Sequence, residues 1–207
     1  MADETVLTRG AEAVVSTSEF LGFASIVKTR HPKRYRNAGL DDKIRLTRMR
    51  NEAKLMIDAR KAGVRTPVIY DIDPGTCSIT MEKVEGMLAK NAIDDVTCDH
   101  ALICEMIGKA IADLHNARIC HGDLTTSNMI FTKDNKICIL DISLGKYPAD
   151  TEDMGVDIHL LERAFMSAHP KSTDEFNVIM DSYSKHSKDS RAILAKVEDI
   201  KKRGRYT

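Results

Sequence analysis

Three oxygen-bearing side chains define the chemistry open to this chain. Asp123 lies in the run His121-Gly122-Asp123-Leu124-Thr125-Thr126-Ser127-Asn128, Asn128 follows it by five positions, and Asp141 closes the apolar run Ile137-Cys138-Ile139-Leu140. Phosphoryl transfer asks a protein for a carboxylate beside the attacking hydroxyl and for hard oxygen donors that fix magnesium against phosphates. Asp123 suits the first task. Asn128 and Asp141 suit the second, because an amide oxygen and a carboxylate leave room for phosphate oxygens and water. Met129-Ile130-Phe131 and Ile137 to Leu140 flank Lys133-Asp134-Asn135, which predicts a hairpin. A hairpin joins its ends, so Asn128 before the first strand and Asp141 after the second would reach one ion. The plainer alternative is a loop of turn-forming Asp and Asn.

Such a site needs a cation for the phosphates and elements to hold it. Ala24-Ser25-Ile26-Val27-Lys28 predicts a strand ending on Lys28 and resembles the Val-Ala-Ile-Lys strand of kinases, whose Lys is held by a Glu of the next helix. That helix is expected from about Asp42 to Ala62, with Leu46, Met49, Ala53 and Met56 at helical spacing and Gly63 as its stop. Glu52 falls on or beside the apolar face, where a carboxylate needs a partner, and Lys28 is the obvious one. Alone, either would read as a solvated surface charge. Leu7-Thr8-Arg9-Gly10-Ala11-Glu12-Ala13-Val14-Val15 occupies the place of a phosphate-covering glycine-rich loop. Leu7, Gly10 and Val15 match its pattern, while Thr8 and Ala13 replace two glycines and reduce backbone freedom. Ile79 to Gly86 predicts a strand entering an interlobe linker, where backbone groups of Met81, Glu82 and Val84 could hold adenine; a plain edge strand is the alternative.

Across nearly its whole length the chain resembles the small atypical serine/threonine kinase and ATPase subunits of the KEOPS (EKC) complex. The residues that carry this are Arg9-Gly10-Ala11-Glu12-Ala13, the run Lys28 to Arg36, His121 to Asn128, Glu152-Asp153 with Val156-Asp157, Leu161-Glu162-Arg163-Ala164 with His169-Pro170, and Arg203-Gly204-Arg205. The resemblance implies an α+β fold, small, bilobal and protein-kinase-like with a reduced C-lobe, the N-lobe spanning residues 1–83 and the C-lobe 84–207. It implies ATP and Mg2+ as cofactors, with hydrolysis or autophosphorylation as the reaction. It also implies action beside a metalloprotein subunit and other complex members that make threonylcarbamoyladenosine in tRNA, with the basic C-terminal tail touching the tRNA. Nucleotide contacts are then expected at Leu7, Arg9, Gly10, Ala11, Glu12, Ala13, Val15, Lys28, Glu52, Met81, Glu82 and Val84. Asp141-Ile142-Ser143 departs from the usual Asp-Phe-Gly: the metal ligand survives, and the Phe switch and Gly flexibility do not.

Length supports this over a signalling kinase. Of 207 residues only 66 follow Asp141, there is no Ala-Pro-Glu, and Asp157 comes just 16 positions after Asp141. Little chain is left for a peptide-holding platform, which predicts slow hydrolysis or modification of itself and docked partners. A small-molecule phosphotransferase of the aminoglycoside or choline kinase type shares the His-Gly-Asp-Leu loop but usually carries a longer helical C-lobe. A nonenzymatic pseudokinase scaffold is the other rival, favoured by the glycine-poor loop and Ile142-Ser143. Charge balances at 31 basic against 31 acidic residues, which excludes a general polyanion trap. Lys28 to Arg36 holds five cations and no acid, and Lys201 to Arg205 four cations in five positions; both could meet RNA phosphates or be solvated. Cys77, Cys98, Cys104, Cys120 and Cys138 lack metal-site spacing and read as reduced thiols. No membrane-spanning run or signal peptide is visible, so a cytoplasmic and nuclear protein is expected.

Overall fold

The computed structural model describes residues 5–33 and 35–204. Five strands, Val6–Arg9 (β1), Val14–Phe20 (β2), Phe23–Thr29 (β3), Ile69–Asp73 (β4) and Ser78–Glu82 (β5), form one antiparallel sheet in the order β1-β2-β3-β5-β4. The β2–β3 hairpin turns on Leu21 and Gly22, both at positive φ, which matches the twist of the flanking strands. Its register sets Lys28 between Val15 and Ile79, at the middle of the sheet.

Helix α1, Ala38–Lys61, packs Met49, Glu52, Ala53, Leu55, Met56 and Ala59 inward, a stripe with the three-and-four spacing of one helical face. It begins earlier than the expected Asp42, because the Asn37 side chain accepts from the amides of Gly39 and Leu40 and caps it there. Gly63, at φ +90, turns the chain away just beyond its end.

After the linker, Gly86–Leu88 (β6), Met129–Thr132 (β7) and Ile137–Ile139 (β8) form a second antiparallel sheet in sequence order. The expected hairpin is β7–β8, with Asn135 at positive φ in its turn. Periodicity had no purchase on three-residue β6 or on the short helix Ala89–Asp94 (α2). Helices His100–Asn116 (α3), Thr151–Ala168 (α4), Thr173–His186 (α5) and Ser190–Gly204 (α6) complete the C-terminal lobe. Asp150 and Asp153 cap α4 reciprocally. Helices α3 and α5 approach so closely that a Cβ on Gly108 would come within 2.3 Å of the Ile179 carbonyl oxygen. Ile103, Ile107, Ile111, Leu114, Ile179 and Tyr183 fill that contact. The architecture is the protein-kinase-like α+β fold. Among the described residues, no helix is long and apolar enough to cross a membrane.

Tertiary packing gives several cations of both basic runs acidic partners. In the first, Arg30 is buried against Glu52, Lys33 donates to the Ala11 carbonyl, and Arg36 pairs with Asp41 at 3.4 Å and Glu12 at 3.6 Å. Much of that charge is therefore spent inside the N-lobe; Arg34 lies outside the described residues. In the second, Lys201 pairs with Glu162 at 2.7 Å and Arg203 with Glu152, while Lys202 is exposed. Arg205 lies outside the described residues.

Candidate active site

The loop between β1 and β2 roofs a cleft of about 250 Å³ between the lobes. Gly10, Ala11, Glu12, Ala13 and Val15 line it from above, and Lys28, Asp123 and Asp141 from below. Lys28 reaches this place because strand alternation turns it off the sheet toward α1, where Glu52 meets it at 2.7 Å. Glu52 is 1% exposed and its second oxygen takes Arg30 at 2.7 Å. One buried carboxylate thus holds two cations side by side.

Asp141 stands 2.6 Å from the same Lys28 ammonium. Its Oδ1 is buried and lacks a directed hydrogen bond, whereas the side chain as a whole is 42% exposed. Burial works to raise its pKa; the Lys28 ammonium, the Ser143 side chain and Arg30 outweigh it and hold the carboxyl at about 2. The residue adopts φ +52, a left-handed conformation that Asp tolerates better than most.

The geometry of the residue 121–128 loop follows from the hairpin. Leu140 N donates to the Asn128 carbonyl at 2.9 Å, so the backbone of Asn128 lies across the hairpin base from the residue before Asp141. The Asn128 side chain turns to Asp123, donating from Nδ2 to its carbonyl oxygen at 2.9 Å and to Oδ2 at 3.1 Å. That directs the Asn128 amide oxygen away from these acceptors, as a free oxygen donor. Beneath, buried Asp157 of α4 accepts from the backbone amides of His121 and of Gly122, the latter at 2.8 Å. His121 bonds the Leu140 carbonyl at 2.8 Å and accepts the Asp123 amide at 3.2 Å, a structural role. Gly122, at φ +80, admits no side chain, because a Cβ there would come within 2.3 Å of the Leu144 carbonyl.

Asp141 lines the cleft, whereas Asn128 does not and reaches it only through its bonds to Asp123; the two oxygen types are those that fit a magnesium ion. No cluster of three or more His, Cys, Asp or Glu suited to a metal occurs among the described residues. Asp141 offers a carboxylate oxygen and Asn128 an amide oxygen, both hard donors of the kind magnesium takes.

Several residues expected to touch a nucleotide lie outside the lining of this cleft. Arg9 lines a separate depression with Val14, Ser16 and His31, and Leu7 is exposed on β1; Thr8, between them, faces the cleft. Met81 is buried in β5 between Ile26 and Ile69. Glu82 is spent on Arg65, which holds its carboxyl below the ordinary range, and its amide donates to the Val68 carbonyl at 2.8 Å. Neither these two nor Val84 lines the cleft, and Glu52 works through Lys28 rather than facing it. Conversely, Arg30, Arg48, Ser143 and Leu144 line it without having been expected as nucleotide contacts. Arg30 follows Lys28 by two positions and Arg48 precedes Glu52 by four, so strand and helix spacing put both on the right face.

The RIO-domain family model matches residues 15–178. The chain belongs to the RIO-domain family. Similar proteins include an EKC/KEOPS complex subunit of Schizosaccharomyces pombe, 35% identical over 97% of this chain and 88% of its own length. Proteins named probable bifunctional tRNA threonylcarbamoyladenosine biosynthesis protein from Methanobrevibacter smithii and Methanothermobacter thermautotrophicus are each 38% identical over 99% and 98% of this RIO-domain chain. The chain spans only 37% and 36% of their lengths. A Rio2 kinase of Chaetomium thermophilum, solved as an ADP/Mg2+-phosphoaspartate complex, shares the fold, with a TM-score of 0.64 at 14% identity over 98% of this chain and 71% of that one.

Proposed function

We propose that this RIO-domain protein is a magnesium-dependent ATPase and atypical serine/threonine kinase that acts as a KEOPS-type subunit in forming threonylcarbamoyladenosine in tRNA. The observation that carries the reading is the convergence of Lys28, Asp123 and Asp141 on one cleft under the residue 10–13 loop. The names of the relatives support the assembly and the tRNA product, and the ADP/Mg2+ complex of the Rio2 kinase supports the cofactors.

Magnesium bound with ATP would neutralise the phosphate oxygens, with Asp141 and the Asn128 amide oxygen as its protein ligands. The chain's own residues supply the rest. Lys28, held by Glu52, presents its ammonium to the phosphates. Asp123, fixed by Asn128, orients a hydroxyl or a water and accepts its proton. The roof loop excludes solvent. Asp141 joins α4 through a short connection that carries no extended platform for a peptide, which favours hydrolysis and self-phosphorylation over turnover of many substrates. For the tail, Lys202 is the described cation without an acidic partner, so any tRNA contact there depends on it and on the residues beyond α6.

The test is ATP hydrolysis by the wild type, Asp123→Ala and Asp141→Ala, alone and with the partner complex. Near-complete loss in Asp141→Ala is expected. Equal turnover in variants and wild type would refute the enzyme and leave a scaffold.

A further inference from the structure

The roof of the cleft is held down by charge. Glu12, in the loop between β1 and β2, pairs through Oε2 with Arg48 Nη1 of α1 at 2.6 Å and through Oε1 with Arg36 at 3.6 Å. Arg48 itself lines the cleft, in company with Lys28, Arg30 and Asp141. Its charge is the one of these three cations that is not committed below. Arg30 is buried on Glu52, and Lys28 is shared between Glu52 and Asp141. Only Arg48 has a partner on the exposed roof, and its side chain and that of Glu12 are 31% and 43% exposed, so the pair is solvated and cheap to open.

We infer that Arg48 is a phosphate-binding residue of the cleft, which exchanges the Glu12 carboxylate for the phosphate chain when a nucleotide enters. This rests on the nucleotide-site reading above and goes beyond it by assigning a further ligand. The chemistry favours the exchange. A polyphosphate entering the cleft meets three carboxylates, on Glu12, Asp123 and Asp141, against the three cations Lys28, Arg30 and Arg48, of which Lys28 and Arg30 are already bound by Glu52 beneath. A guanidinium fork matches phosphate oxygens in two parallel bonds, and a phosphate carries more charge than the carboxylate it replaces. Glu12 then has a different part from that of a nucleotide ligand: its carboxylate repels phosphate and holds Arg48 while the cleft is empty. Arg36 remains to receive Glu12 once Arg48 leaves.

Opposite signs test the exchange. Binding of a non-hydrolysable ATP analogue with Mg2+ would be measured by calorimetry on the 207-residue chain as wild type, Arg48→Ala, Arg48→Lys and Glu12→Gln. The exchange predicts about tenfold weaker binding in Arg48→Ala, partial retention in Arg48→Lys, and several-fold tighter binding in Glu12→Gln because the competitor is gone. If the pair only tethers the roof, both alanine and glutamine variants loosen the same loop and shift affinity in the same direction, which overturns the inference. No shift in either variant overturns it as well. Thermal melting without nucleotide reports whether each variant is folded, and Glu12→Gln, at an exposed loop, reads the sign independently of Arg48. Failure of the wild type to bind the analogue would instead refute the nucleotide site itself, and the inference with it.

Discussion

Replacing Glu52 by Gln should destabilise the N-lobe out of proportion to the single charge removed. Glu52 is 1% exposed and takes Lys28 and Arg30, each at 2.7 Å. In Glu52→Gln, Lys28 keeps Asp141 at 2.6 Å, so the penalty falls on Arg30, 3% exposed and without another acidic partner among the described residues. Removing one member of a buried pair costs about 3–5 kcal/mol, because the remaining charge stays desolvated. Against a typical domain stability of about 5–15 kcal/mol, that is a large share. With a urea m-value of roughly 2–3 kcal/mol/M, the unfolding midpoint should fall by about 1–2.5 M at unchanged m. Coupling Glu52→Leu with Arg30→Met, which removes both buried charges from that contact, should recover part of the loss. A drop below about 1 kcal/mol in Glu52→Gln, the range of solvated pairs, would refute the claim that this carboxylate is a buried hub.

Asp157→Asn should lower the ATP turnover rate by at least about tenfold while leaving nucleotide affinity nearly unchanged, since Asp157 holds the amides of His121 and Gly122 and does not line the cleft; steady-state kinetics beside calorimetry separates the two. Burial pushes the Tyr183 phenol from 10.0 up to about 12. Its neutral form is the one the fold prefers, so its contribution is intact below pH 10 and is lost as pH rises toward 12. The stability gap between wild type and Tyr183→Phe should therefore narrow between pH 9.5 and 11.5 in urea titrations, and a constant gap would contradict this. Thiol titration at pH 8 should find one accessible cysteine, Cys98, in the folded chain and five after unfolding, because Cys77, Cys104, Cys120 and Cys138 are buried and burial pushes Cys104 and Cys138 up to about 12. Gly108→Ala should cost about 1–3 kcal/mol, measured by the same unfolding assay, since backbone of α5 occupies the space of the new methyl.

Read from the sequence alone, the elements with strong local codes come through. The β7–β8 strands carry unbroken apolar runs around a turn, and that arrangement predicts the approach of Asn128 to the Asp141 end of the hairpin. Lys28 and Glu52 were legible as partners because one ends an apolar strand and the other lies on the buried stripe of α1. The loop from Leu7 to Val15 was legible from Gly10 onward, where Gly10, Ala11, Glu12, Ala13 and Val15 line the cleft, but not on β1. A bulge in the β1–β2 pairing between Val6 and Thr8 shifts the alternation, and Thr8 rather than Leu7 or Arg9 faces the cleft.

What the chain determines by itself is which residue types lie on which face, since strand and helix periods act over two to four positions. Those periods place Lys28 with Arg30, Arg48 with Glu52, and Asn128 within reach of Asp141. The partner of each charge is a different matter. Glu12 meets Arg48 36 positions on, and Asp157 meets the amides of His121 and Gly122 from more than 30 positions away, where no local period reaches. Only the packing of α1 on the sheet and of α4 beneath the loop decides these pairings. For that reason a basic run that could meet RNA phosphates or be solvated has Lys28, Arg30 and Arg36 paired with acidic side chains instead. A burial of charge must be answered by whichever opposite charge the fold brings near, and the fold's long-range contacts alone say which one that is.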